Sequence, residues 1–152
     1  MRHLIKFPAF LTSLAFVFLL TSCTNGSDDL IPNQDLIQQN VQSGSWKITS
    51  FIDSGDDETN HFNGYTFVFG ANGSITATAS GTSGAGTWNV TDSNSSDDSI
   101  DDLDFNILFN LGNDLDELSE DWNIVSQSSS RIELIHVSGG NGGTDTLTFE
   151  RK

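Results

Sequence analysis

The chain has 152 residues, of which 36% are hydrophobic and 18% charged, and its formal net charge is −15. An acidic excess of this size, with no basic stretch to offset it, repels phosphate groups and excludes nucleic-acid binding. The single cysteine, Cys23, excludes an intrachain disulfide, so a hydrophobic core must stabilise the fold.

Residues 1–22 have the organisation of a secretory signal peptide. Arg2 and Lys6 give a positive start, an apolar run extends from about Phe7 to Leu20, and small residues precede Cys23. The apolar run is too short to span a bilayer comfortably, which favours a cleaved leader over a transmembrane helix.

The four residues Leu20-Thr21-Ser22-Cys23 resemble the lipobox of bacterial lipoproteins. The resemblance implies that a lipid is attached to the sulfur of Cys23 and that cleavage makes Cys23 the new N-terminus. The acyl chains would hold the mature protein at a membrane, since each buried methylene contributes about 0.8 kcal/mol. An ordinary cleaved signal with a chance cysteine is the alternative interpretation.

The residues after the cysteine indicate where such a lipoprotein resides. Thr24 stands where the inner-membrane retention signal of the lipoprotein family has Asp. Ser27-Asp28-Asp29 resembles the acidic tag by which some Gram-negative groups export lipoproteins to the cell surface. We therefore expect an outer-membrane lipoprotein exposed at the cell surface, with a periplasm-facing anchor as the alternative.

Residues 23–42 are expected to comprise the lipidated cysteine, an acidic tether and a short helical segment. Residues 24 to about 31 are polar and acidic, as in a flexible linker. Asn33 is predicted to cap a short helix that carries Leu36, Ile37 and Val41.

Residues 43–152 consist of short alternating segments separated by Gly, Asn, Asp and Ser, which is typical of an antiparallel all-β domain. The predicted strands are Ser45–Asp53, Gly64–Gly70, Ser74–Ser80, Thr87–Thr91, Ile100–Asn110, Trp122–Gln127, Arg131–Val137 and Thr144–Arg151. The connections are too short for parallel crossovers, so strands adjacent in sequence should pair. The predicted fold class is therefore all-β, a small antiparallel up-and-down eight-stranded β-barrel with one or two short helical turns.

Alternation also predicts which face of a strand each side chain occupies, and the residue types between the strands predict turns and loops. In the first strand, Trp46, Ile48, Ser50 and Ile52 are predicted to share one face, with Phe51 on the opposite face. Asn72-Gly73 predicts a tight turn. Gly81–Gly86 is predicted to be a loop, and the capping-box spacing of Asp114–Glu117 predicts a helical turn.

Three tryptophans each precede a polar and then a β-branched residue, at Trp46, Trp88 and Trp122. Their spacings of 42 and 34 residues are too unequal for a solenoid or propeller repeat. We expect each indole to close one end of a common core and to bond its N–H near the rim.

Gly44-Ser45-Trp46 at the start of the first strand resembles the Gly-x-Trp motif of lipocalins. The later segments, Tyr65–Phe69, Asn72–Thr76 and Gly86–Trp88, resemble lipocalin-like domains of bacterial lipoproteins, over about residues 43–152. The resemblance implies a barrel that binds a small apolar or amphipathic molecule without catalysis. It also implies that a late arginine, here Arg151, packs across Trp46.

The candidate ligand-binding residues are bulky side chains predicted to point inward: Trp46, Phe67, Phe69, Trp88, Phe105 and Trp122. A barrel of eight strands either holds one small ligand or is filled by its own side chains. A packed barrel that presents loops or an exposed aromatic face to an envelope protein or glycan is therefore the alternative function.

Acidic residues cluster at three places: Asp53, Asp56, Asp57 and Glu58; Asp97, Asp98, Asp101 and Asp102; and Asp114, Asp116 and Glu117. None has the Asp-x-Asp-x-Asp-Gly spacing of a dedicated calcium loop, so we interpret the clusters as solvated turns. Weak divalent binding is the alternative.

Catalytic motifs are missing from this sequence. His61 and His136 remain after removal of the leader, and His136 alternates with apolar residues as a half-buried strand histidine does. The sequence has no Gly-x-Ser-x-Gly elbow and no phosphate loop. We expect no enzyme activity, no catalytic residue, no metal and no cofactor.

Overall fold

The computed structural model describes residues 34–92, 103–139 and 142–152. The described elements, in chain order, are helix α1 (Gln34–Gln42), strands β1 (Ser45–Asp53) and β2 (Asp56–Asp57), a first 3-10 turn (Thr59–Phe62), strands β3 (Thr66–Phe69), β4 (Ser74–Ala79), β5 (Thr82–Asp92) and β6 (Leu103–Leu108), a second 3-10 turn (Asp114–Leu118), and strands β7 (Asp121–Gln127), β8 (Arg131–Val137) and β9 (Thr144–Arg151).

Several predictions fall outside the described residues. They are the leader, the lipobox with Cys23, the tether, the helix cap Asn33 and the second acidic cluster (Asp97, Asp98, Asp101 and Asp102). None of the helices in the described ranges has the length and hydropathy of a membrane span.

Strands β1 and β3–β9 form a closed antiparallel barrel. Each strand pairs with its neighbour in sequence, and β9 closes the barrel on β1 in a register from Trp46 opposite Arg151 to Ile52 opposite Thr146. The two-residue strand β2 folds back on the end of β1. The predicted all-β, eight-stranded up-and-down barrel is confirmed, and β2 is an addition that the sequence pattern did not indicate.

Period-two alternation builds the barrel core. In β6, Leu103, Phe105 and Ile107 are buried, whereas the side chains between them point outward. The same alternation holds in β4, where Ile75 and Ala77 are buried. Apolar burial of this kind supplies the stability that the chain cannot draw from disulfides.

Helix α1 covers the end of the barrel at which β1 begins. The predicted helix is confirmed: Ile37 and Val41 on its inner side are fully buried, whereas Leu36 is only partly buried. The indole N–H of Trp46 donates to the carbonyl of Val41 at 2.8 Å. The side-chain amide of Gln34 donates to the carbonyl of Val90 at 2.6 Å, so the helix is fixed to β5 as well.

The two 3-10 turns cover the opposite end. Phe62 of the first turn, and Leu115 and Leu118 of the second, are buried in the core. The indole N–H of Trp122 donates to the carbonyl of Leu118 at 3.1 Å. The helical turn predicted at residues 114–117 is confirmed, although its cap is the side chain of Asn113, which accepts from the amide of Leu115.

The predicted face of Phe51 is wrong. A register shift between Ile48 and Ser50 inserts an extra residue into β1 and reverses the alternation beyond it. Phe51 is therefore 2% exposed and lies inside the barrel, whereas Ser50 and Ile52 are only partly buried. Its ring packs edge-on against Phe62, with centroids 5.3 Å apart.

The predicted loop Gly81–Gly86 is also wrong, because β5 begins at Thr82 and pairs with β4 from there. Gly81 makes the tight turn with φ 81°. Gly84 is needed for close packing rather than for flexibility, since a Cβ there would lie 2.5 Å from the side chain of Leu115. A glycine-rich run here lets β5 pass beneath the second 3-10 turn.

Candidate functional site

All six candidate ligand-binding residues lie inside the barrel and are at most 4% exposed: Trp46, Phe67, Phe69, Trp88, Phe105 and Trp122. The structure brings Phe69, Trp88 and Phe105 together in the middle of the barrel. It places Trp46 beneath α1 and Trp122 beneath the second 3-10 turn, so these two indoles lie at opposite ends of the core.

The central rings are in direct contact with one another. The centroid of Phe69 lies 5.2 Å from that of Trp88, 5.7 Å from Phe105 and 5.6 Å from Phe149, each in an edge-to-face arrangement. These separations are those of packed aromatic pairs. The rings occupy the centre of the barrel themselves, and their binding of an apolar ligand stays a prediction.

The expected role of the tryptophan N–H groups is confirmed. Trp46 and Trp122 donate to carbonyls at the two ends of the barrel, and Trp88 donates to the carbonyl of Gly70 at 3.0 Å. Each buried indole therefore has its polar atom satisfied, and among the described residues no buried side-chain nitrogen or oxygen lacks a partner.

The predicted packing of Arg151 across Trp46 is confirmed, with the guanidinium carbon 4.6 Å from the ring centroid. The guanidinium also donates to the carbonyls of Asn40 at 2.9 Å and Ser43 at 2.8 Å. Arg151 thus ties the end of α1 to the last strand of the barrel.

A groove of about 560 Å³ lies on the outer surface of the barrel. It forms where β6 and β7 separate. Their pairing begins with Asp104 opposite Asn123 and ends with Asn106 opposite Asp121. Beyond this pairing, the amide of Ile107 donates to the carbonyl of Glu120. Its lining includes Thr87, Asn89, Thr91, Asn106, Leu108, Ser119, Glu120 and Asp121. The sequence pattern did not indicate this groove.

The floor of the groove is a fixed polar network. The amide nitrogen of Asn106 donates to the side-chain oxygen of Asn89 at 2.8 Å and to the hydroxyl of Thr91 at 3.0 Å. Leu108 stands beside this network with 59% of its surface exposed. The groove therefore combines an ordered polar floor with one accessible apolar side chain.

One side of the groove is acidic. Glu120 and Asp121 line it, and Asp104 lies diagonally across the β6–β7 pair from Asp121, since Asp104 is opposite Asn123. Partial burial raises the pKa of Asp104, and the negative charge of Asp121 raises it further. His136 contacts the same segment, with Nε2 3.5 Å from the carboxylate of Glu120, and it is half-buried as expected.

A second group of polar side chains joins the two 3-10 turns. His61 Nδ1 lies 3.2 Å from the carboxylate of Glu117, and Nε2 lies 3.0 Å from that of Glu58. Asp114 completes the group, since one ligand atom each of His61, Asp114 and Glu117 lies within 4.8 Å of the others. The hydrogen bond to Glu117 raises the pKa of His61, and the nearby acidic charges raise it further.

Sequence reasoning treated the first and third acidic clusters as separate solvated turns. The structure brings Glu58 of the first cluster and Asp114 and Glu117 of the third to the same histidine. Glu117 follows His61 by 56 residues, so no local spacing could have revealed this group.

No protein-family model matches the sequence, and no curated protein matches it. Among solved structures, the chain is similar to a DUF4847 family protein from Bacteroides vulgatus ATCC 8482, with a TM-score of 0.50 and 16% sequence identity. The similarity covers 76% of this chain and 97% of that chain. At this identity the likeness shows the barrel fold.

Proposed function

We propose that this protein is a lipid-anchored, non-catalytic binding module of the bacterial outer membrane. In this proposal the packed barrel binds a cationic segment of an envelope protein in the groove beside Glu120 and Asp121. The observation that carries the proposal is the groove itself, with its ordered polar floor and its acidic side.

The chemistry of the groove favours a lysine or arginine side chain as its occupant. The carboxylates of Glu120 and Asp121 can pair with a cationic head group, and the exposed Leu108 can pack against its aliphatic stem. A bound cation would also relieve the repulsion between Asp104 and Asp121. The formal net charge of −15 would attract a basic partner over longer distances.

The packing of the core supports binding on the outside of the barrel rather than within it. Phe69 and its aromatic neighbours contact one another in the middle, and α1 and the 3-10 turns cover the two ends. The sequence supports a non-catalytic role, since it has no nucleophile elbow and no phosphate loop.

The anchoring part of the proposal depends on Cys23 and is tested in cells. Replacing the cysteine by Cys23→Ala removes the acceptor of the lipid, so the protein should move from the membrane fraction to the soluble fraction. Protease added to intact cells should digest the wild-type barrel if it is displayed on the surface. Membrane attachment that is unchanged in Cys23→Ala would contradict the anchor.

The groove is tested with the full chain in detergent and a peptide of alternating Lys and Ala, whose affinity is measured by calorimetry at physiological salt. The double variant Glu120→Gln/Asp121→Asn should weaken binding about tenfold, since each exposed charge pair contributes up to about 1 kcal/mol. The matched control Asp53→Asn/Asp56→Asn removes the same charge from exposed positions elsewhere. It should weaken binding less than about twofold, because distant exposed charges are screened.

Two results would contradict a groove specific for a cationic segment. Equal weakening by both double variants would mean that net charge alone attracts the peptide. Displacement of the peptide by neutral envelope glycans, with an affinity that does not depend on salt, would favour a glycan as the occupant instead.

A further inference from the structure

We propose that His61, Asp114 and Glu117 form a binding site for a divalent transition-metal ion, with Zn²⁺ as the ion that these ligands suit best. The site would join the two 3-10 turns at the end of the barrel opposite α1. It is independent of the outer groove and of the lipid anchor.

The ligand atoms are nearly in position. One atom from each of the three side chains lies within 4.8 Å of the other two. A tetrahedral Zn²⁺ with ligands at about 2.1 Å holds them about 3.4 Å apart. Asp114 and Glu117 are exposed, so rotation of their side chains can close the remaining distance of up to about 1.4 Å.

Glu58 orients the histidine as an outer partner does in known metal sites. Its carboxylate lies 3.0 Å from Nε2 of His61, which keeps a proton on Nε2. Nδ1 faces Glu117 at 3.2 Å, so a metal ion would replace the proton that Nδ1 shares with this carboxylate, while Nε2 keeps its own. A metal-bound histidine commonly donates its other ring N–H to a carboxylate, which fixes the ring and makes the ligand nitrogen more basic.

The backbone that carries the ligands is held by the core. Phe62, next to His61, is buried, as are Leu115 and Leu118 on either side of Glu117. Asp116, by contrast, turns away from the group, because its carboxylate accepts from the backbone amides of residues 111 and 112. Fixed turns with outward-facing ligands give a site that does not have to be assembled by folding of a loop.

The ligand set favours a transition metal over calcium. One imidazole nitrogen and two carboxylate oxygens suit Zn²⁺ and its neighbours, whereas calcium takes six to eight oxygen ligands. Three protein ligands leave a fourth tetrahedral position for water. Because the metal needs the unprotonated Nδ1, binding should weaken as the pH falls and His61 is protonated.

The test uses the full chain, purified in detergent and freed of metal with chelator, with ZnCl₂ titrated calorimetrically at pH 7. We expect one Zn²⁺ per chain, with release of a proton that makes the measured heat depend on the buffer. His61→Gln should weaken binding at least about a hundredfold, and Glu58→Gln about tenfold, the range seen when an outer partner is lost. His136→Gln removes the other described barrel histidine, which also lies beside a carboxylate, and should leave Zn²⁺ binding unchanged.

Two results would overturn the site: Zn²⁺ binding that His61→Gln leaves intact, or CaCl₂ bound as tightly as ZnCl₂. Circular dichroism must show that each variant is folded. If His61→Gln does not fold, nitrogen NMR of the wild-type chain decides the question. Zn²⁺ should then shift the Nδ1 resonance of His61 while Nε2 stays protonated, and an unshifted Nδ1 would overturn the proposal.

Discussion

Arg151 lies against both defining residues of the Gly44-Ser45-Trp46 motif. Its guanidinium packs over the ring of Trp46, and a Cβ at residue 44 would overlap its Nη1 atom. The hydrogen bonds to the carbonyls of Asn40 and Ser43 keep the guanidinium from moving aside. Glycine is therefore required at residue 44 because the arginine occupies the space of a side chain.

This contact predicts strong coupling between the two positions. Arg151→Ala should lower the free energy of unfolding by about 2 kcal/mol, through loss of the ring contact and of charged hydrogen bonds. Gly44→Ala should lower it by about 1–2 kcal/mol through overlap. In urea titrations the double variant should lose at least about 1 kcal/mol less than the sum, because the overlap disappears with the arginine.

Arg131 provides the matched control for Arg151. Its guanidinium is paired with Glu133 and Glu150, but it is exposed and packs over no ring in the described structure. Arg131→Ala should therefore destabilise much less than Arg151→Ala. Additive effects of the Arg151 and Gly44 changes would show that the two residues do not interact.

The raised pKa of His61 predicts how the stability of the fold depends on pH. Its folded-state pKa is raised above the ordinary value of about 6.5, first by the hydrogen bond to Glu117 and then by nearby acidic charges. A raised pKa stabilises the fold fully below about pH 6.5, and this contribution is lost as the pH rises through the folded-state value. With EDTA present, wild type should melt above His61→Gln at low pH, and the difference should shrink as the pH rises. A difference that grows with pH would contradict this assignment.

Strand β1 shows what alternation can and cannot predict. Its bounds, and those of β8 and β9, are as predicted from the sequence. The bulge between Ile48 and Ser50 exists only in the pairing with β9, so the β1 sequence alone carries no sign of it. The groove could not be predicted from the sequence either, because it depends on the position at which the pairing of β6 with β7 ends.

The bulge predicts which residue of β1 matters for stability. Phe51→Ala should lower the free energy of unfolding by about 3–5 kcal/mol, because it empties a buried position between Phe62 and Trp122. Val125→Ala, at a side chain that is 57% exposed, should change stability by less than about 0.5 kcal/mol. Urea denaturation measures both, and a small loss for Phe51→Ala would place that ring outside the core.

At the scale of the whole molecule, both ends of the barrel are covered and its middle is occupied by aromatic rings. The six candidate ligand-binding residues are buried as the sequence predicted, although Phe51 was missed. The sequence could not indicate how closely these rings pack, since that depends on contacts between distant strands. Phe69, for example, meets Phe105 and Phe149 only because the barrel closes.

This packing predicts how the protein responds to an apolar molecule. Titration of the full chain in detergent with a spin-labelled fatty acid should quench tryptophan emission no more than it quenches a free tryptophan analogue in the same detergent, because the central rings pack against one another. Phe69→Ala should open a cavity next to Trp88, because the ring centroids of Phe69 and Trp88 are 5.2 Å apart in the wild type. Saturable quenching in the wild type would instead support an apolar ligand, bound inside the barrel or in the outer groove that Trp88 also lines.

The pairing of β9 with β1 also decides when the molecule can be completed. Strand β1 leaves the ribosome roughly a hundred residues before β9. Until β9 has been made, the edge of β1 that pairs with β9 has no partner. The barrel therefore stays open until β9 has been synthesised. Premature termination before Thr144 would leave the edges of β1 and β8 unpaired. The product would be prone to aggregation and would not be a slightly shortened barrel.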